Sequence, residues 1–100
     1  MPRTILNEEN LREFLNDETL RLSLENHYWI KNTMIQNIGR MAPNLMVLSL
    51  RRMKFIDNPV FAEVFKYLTR LEKVDLTDCT GLLPTACCLL IDKNRNLSHI

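Results

Sequence analysis

One apolar pattern recurs along the chain at a constant interval. Leu45, Leu48 and Leu50 of LMVLSL return 26 residues later as Leu71, Val74 and Leu76 of LEKVDL. Another step of 26 brings Leu97 and Ile100, and a step of 26 backwards brings Leu22 and Leu24. Only Thr19 breaks the column, where an apolar residue is expected. One such unit cannot bury its apolar face alone, but copies stacked side by side can. The chain is therefore read as a repeat protein.

Each unit has a second half that also aligns: IKNTMIQNIGRMAPN (30–44), IDNPVFAEVFKYLTR (56–70) and LLPTACCLLIDKNRN (82–96). Asn32 and Asn58 are expected as N-caps, whose side-chain oxygens satisfy free N–H groups at a helix start. Pro59 then falls at the first helical position, where its missing N–H costs nothing. Apolar residues follow at helical spacing: Ile35, Ile38 and Met41; Phe61, Val64 and Leu68; Cys87, Leu90 and Ile91. Pro43 stops the first helix, and in the third copy Pro84 stands in place of the capping Asn. Residues 1–18 read as an N-terminal capping helix or degenerate half repeat. It starts at Ile5 and Asn7, has early acids that suit a helix N-terminus, and carries a stripe of Leu11, Phe14 and Leu15.

Stacked strands sit roughly 4.8 Å apart, whereas packed helices need about 8–10 Å. The helix side of the stack must be longer, so it curves. The expected fold is an α/β solenoid: a short right-handed arc with parallel strands on its concave face and helices on its convex face. Its units are 19–44, 45–70, 71–96 and a partial 97–100.

Composition narrows the function. A formal net charge of +1 argues against a general polyanion binder, since nucleic-acid affinity rests on phosphate neutralisation. No apolar run approaches the roughly eighteen residues that span a bilayer, and the N-terminus lacks the h-region of a signal peptide. Three cysteines, Cys87 and Cys88 adjacent, do not make a secreted disulfide framework. An intracellular, reducing compartment is the expectation, most simply the cytoplasm.

The L-x-x-L-x-L unit resembles the leucine-rich-repeat superfamily. The 26-residue period, Cys79 three places after Leu76, and the junction APNLMVLSL (42–50) are similar to its cysteine-containing subclass. His27 and Met53 occupy the column of Cys79, and Ala42 stands where that subclass often has a second Cys. The subclass occurs in F-box/leucine-rich-repeat proteins, substrate receptors of cullin ubiquitin ligases, and in axonemal proteins. The resemblance covers roughly residues 19–100. The eighteen residues before Thr19 are too few for an F-box, so a ligase role implies a longer chain. NLSHI ends part-way through a fourth unit, an uncovered strand edge that implies either a longer chain or another subunit against it.

In such repeats the residues between the strand leucines line the concave face, where partners dock. The columns here are Arg21, Val47, Lys73 and His99; Ser23, Ser49 and Asp75; Glu25, Arg51 and Thr77; and Asn26, Arg52 and Asp78. The candidate partner contacts are Arg21, Glu25, Ser49, Arg51, Arg52, Lys73, Asp75 and Asp78, with Arg51 and Arg52 foremost because Arg is enriched at hot spots. The alternative is a solvated sheet face. Trp29, after Tyr28, closes one rim of the core or else anchors a partner.

Cys79, Cys87, Cys88 and His99 lack the close pairing of zinc ligands, so no metal is expected. A Cys88–His99–Asp92 site is not assembled either, because the repeat puts Cys88 on a helix flank and His99 on a strand. With only Gly39 and Gly81 there is no phosphate-cradling loop. No cofactor and no catalysis are expected. The leading expectation is a protein-binding adaptor within a larger complex, including an axonemal one; the alternative is a fragment of an F-box-type substrate receptor.

Overall fold

The computed structural model describes residues 8–25 and 30–98. The molecule is α/β. Its elements run α1 (Glu8–Phe14), β1 (Arg21–Ser23), α2 (Asn32–Ile35), α3 (Ile38–Met41), β2 (Val47–Ser49), α4 (Asn58–Tyr67), β3 (Lys73–Asp75) and α5 (Pro84–Lys93). The three strands form one parallel sheet in the order β1-β2-β3. Arg21 pairs with Val47 and Val47 with Lys73, and the neighbouring Leu22, Leu48 and Val74 align behind them. Each strand is shorter than the six-residue motif that contains it, because only three residues of each, Arg21–Ser23, Val47–Ser49 and Lys73–Asp75, pair in the ladder.

Strand alternation puts Leu22, Leu48 and Val74 into the core, where all three are buried, while their neighbours face outward. The flanking leucines Leu24, Leu45, Leu50 and Leu71 are fully buried. A regular rung precedes each strand. Met46 N–H donates to Leu20 O at 2.8 Å, Glu72 N–H to Met46 O at 2.8 Å, and Ser98 N–H to Glu72 O at 2.9 Å. Leu97 packs against the core, so a fourth unit begins in register; Ile100 and His99 lie outside the described residues.

The helices pack on the far side of the core. Phe61 and Phe65 on α4 are fully buried and stack with ring centroids 6.0 Å apart. Truncating either costs about 3–5 kcal/mol. The helix of the first full unit breaks at Gln36–Asn37. There Asn37 Nδ2 donates to Thr33 O at 2.8 Å, a local bond that competes with helix continuation. After α3 the chain leaves the helix at Ala42, just before Pro43. Gly39 sits where α3 meets α4; a Cβ there would lie 2.5 Å from Val64 O.

Several expectations shift. The N-caps are Lys31 and Asp57, neither with a side-chain cap bond; Asn32 and Asn58 are the first helical residues, and Pro59 the second. Asn58 is drawn sideways instead. Its Oδ1 accepts Leu83 N–H at 2.9 Å and its Nδ2 donates to Thr85 Oγ1 at 2.8 Å, tying two units together. On α5 the buried residues are Ala86 and Leu90; Cys87 is only half-buried and Ile91 is 51% exposed. α5 packs against α4 with Ala86 and Leu90 buried, so its inner face differs from the expected stripe. Phe14 also leaves its stripe, at 49% exposed. Thr19, the one break in the apolar column, is buried and bonded. Its hydroxyl donates to Phe14 O at 2.7 Å and accepts Asn16 N–H at 3.0 Å, closing the end of α1.

Candidate protein-binding face

The sheet face opposite the helices carries its outward side chains in rows that the register dictates. The first row is Arg21, Val47 and Lys73, and the second is Ser23, Ser49 and Asp75. Arg21 and Lys73 are exposed; Val47, Ser49 and Asp75 are half-buried. Two shallow depressions adjoin at Val47 and Lys73. One, of about 420 Å³, is lined by Leu20, Arg21, Met46, Val47, Glu72 and Lys73. The other, of about 380 Å³, runs over Ser49, Val74, Asp75 and Thr77.

Past the strands the chain turns, and the remaining candidates sit in those turns. Glu25 and Arg51 form a half-exposed ion pair, with Arg51 Nε 3.9 Å from Glu25 Oε1. Such a pair contributes little to stability in water. The same Nε is shielded from solvent and has no hydrogen-bond partner among the described residues. Asp75 Oδ1 accepts both Thr77 Oγ1 at 2.6 Å and Thr77 N–H at 3.0 Å. These bonds hold the Asp75 carboxyl below its ordinary pKa, with help from the Arg51 charge and against slight desolvation.

Arg52 and Asp78, one unit apart, both adopt left-handed backbone, with φ of 63° and 60°. Their place after the strand is a turn position, and strain there costs about 1–2 kcal/mol for a side chain other than glycine. Just behind the turn, Cys79 is buried and its Sγ donates to Leu50 O at 2.9 Å. Burial raises its thiol pKa; Asp75 and Asp78 add to this, and a bond from Met53 N–H opposes it. Met53, in the same column, is fully buried.

The eight candidate contacts thus fall into two groups: Arg21, Ser49, Lys73 and Asp75 on the sheet, and Glu25, Arg51, Arg52 and Asp78 in the turns beside it. Trp29, His27 and Asn26 lie outside the described residues. Leu20 and Met46, which floor the first depression, were not singled out from sequence; the signal was their shared column one place before the strand. Among the described residues no group of three His, Cys, Asp or Glu could hold a metal ion, and no helix is long and apolar enough to cross a membrane. Neither family models nor curated proteins match this chain.

Proposed function

We propose that the chain is a leucine-rich-repeat adaptor: a short right-handed arc without catalytic activity or cofactor that holds another protein as a subunit of a larger assembly. The in-register sheet face carries this reading. It sets Arg21, Val47 and Lys73 in one row on a rigid strand layer whose opposite face is core. The mixed charges beside it suit a patterned protein surface better than a polyanion. An intracellular, cytoplasmic setting goes with this role, and an axonemal scaffold is one variant of it.

A substrate receptor of a cullin ligase would use the same face. That second reading rests on the resemblance to the cysteine-containing subclass, which the buried Cys79 supports and Met53, in the same column, departs from. A helical adaptor-binding module ahead of residue 1 discriminates the two. The docking face itself is tested by a photocrosslinking residue at Ser49, compared with one at exposed Lys93 on α5. Discrete adducts from Ser49 alone support it; equal adducts from both positions, or none from Ser49, sink it.

A further inference from the structure

The first row of the open face is chemically uneven. Exposed cations stand at its two ends, Arg21 on β1 and Lys73 on β3, and neither takes part in an ion pair among the described residues. Between them the floor is apolar: Val47 and Met46 are half-buried, and Leu20 is left 47% exposed. Four acids, Glu13, Glu18, Glu72 and Asp75, stand close by and set the limits of the positive field. Glu72 lines the same depression and offsets part of the Lys73 charge, whereas Asp75 lies in the next row, held by Thr77. Arg21 in turn shares a neighbouring depression with Glu13 and Glu18, so each cation has acids beside it.

Resting on the reading of this face as the docking surface, we propose that its occupant is an amphipathic helix of a partner protein, laid across the strands. That helix carries a carboxylate at each end of a two-turn segment and a large apolar side chain between them. The spacing selects a helix. Arg21 and Lys73 are two strand intervals apart, roughly 9–10 Å. Positions i and i+7 of a helix are separated by about 10.5 Å on one face, with i+3 and i+4 between them. An extended segment repeats its face every ~7 Å and matches that span poorly. The carboxylates meet Arg21 and Lys73, and the apolar side chain covers Leu20, Met46 and Val47. The depression of about 420 Å³ is large enough to take a leucine or phenylalanine.

The test is a titration of the ¹⁵N-labelled full chain, followed by NMR, with a helix-stabilised peptide bearing Glu at i and i+7 and Leu at i+3 and i+4. One control peptide has Lys for both Glu residues, and another has its Glu residues at i and i+2. The expected result is saturable binding with shifts at Arg21, Val47 and Lys73, weaker by roughly tenfold or more for either control. The double variant Arg21→Glu, Lys73→Glu, at exposed positions that leave the core intact, should lose the acidic peptide and take up the basic one. Equal binding of all three peptides overturns the proposal, as does no saturable binding. So do shifts centred on Glu13, Phe14 and Glu18, in the acidic depression on the far side of Arg21 from Val47 and Lys73. If the acidic peptide fails while adducts still form from Ser49, the helix proposal falls and the docking face stands; loss of both removes both.

Discussion

The Asn94 side chain accepts the backbone N–H of Leu71 at 2.7 Å, joining the two ends of one unit. Its Nδ2 also donates to Leu68 O at 2.9 Å and Leu90 O at 2.8 Å, so one buried amide satisfies three backbone groups. Asn94→Leu would leave the Leu71 N–H and the Leu68 carbonyl without it. At about 1–3 kcal/mol for each of these two buried polar groups left unmet, the loss is roughly 2–6 kcal/mol. Urea unfolding of the variant reads it directly; a midpoint like that of the parent would show that the clasp contributes nothing.

Gly39→Ala should destabilise the chain although alanine is the better helix former. The propensity gain is about 1 kcal/mol. Against it stands a new methyl 2.5 Å from Val64 O and 3.0 Å from the Tyr67 Cβ. A backbone carbonyl cannot rotate aside, so α3 and α4 must separate at a cost of about 1–3 kcal/mol. A lowered Tm is expected, and a raised one would mean the helix contact is looser than described.

At Arg52 the expectation reverses. Its left-handed backbone suits glycine, so Arg52→Gly should unfold at the same temperature as the parent or slightly higher. Arg52→Val should be destabilised by about 1–2 kcal/mol. Equal melting of the two variants would show that the backbone conformation carries no strain.

The Asp75–Thr77 bonds make a prediction in pH. A carboxyl whose native pKa lies below its unfolded value stabilises the fold above the unfolded value. That contribution fades as pH falls through the native one. Thr77→Val removes the largest cause, so the Asp75 carboxyl should titrate closer to the ordinary value near 3.8 and the acid-side loss of stability should shrink. Carbon-13 titration of the Asp75 carboxyl checks the first part and acid unfolding the second. An unmoved titration curve in the variant would refute the assignment.

The three thiols should separate by reactivity. Cys88 is exposed, Cys87 half-buried and Cys79 buried with a raised pKa. Ellman's reagent at mildly alkaline pH should modify Cys88 first and Cys79 only on unfolding. Because the native Cys79 pKa is raised, its stabilising contribution is full below the unfolded value near 9.0 and is lost as pH climbs past it. Early labelling of Cys79, read by peptide mapping, would contradict its burial.

The sheet was legible because its core residues obey one interval: Leu22, Leu48 and Val74 share a column and align in space. The rows of the open face followed from the same interval. The clasps left no periodic trace. Asn94 stands in the column of Ala42 and Leu68, so its side chain acts once and repeats nothing. Asn58 looked like a cap because capping and bridging call for the same amide. The left-handed turns at Arg52 and Asp78 carry no glycine to announce them. On α5 the apolar spacing pointed to Cys87, Leu90 and Ile91, whereas the buried residues are Ala86 and Leu90, because a small Ala carries little hydrophobic signal of its own.

The rungs joining Leu20, Met46, Glu72 and Ser98 also set how the chain assembles in time. Each rung closes a loop of the same length, 26 residues, and so meets the same entropic barrier, roughly 3 kcal/mol beyond a constant. No step has to wait for the two ends of the molecule to find each other. Structure can nucleate at either unit boundary and grow outward one unit at a time, at a pace governed by the interval between neighbours and not by the length of the whole chain.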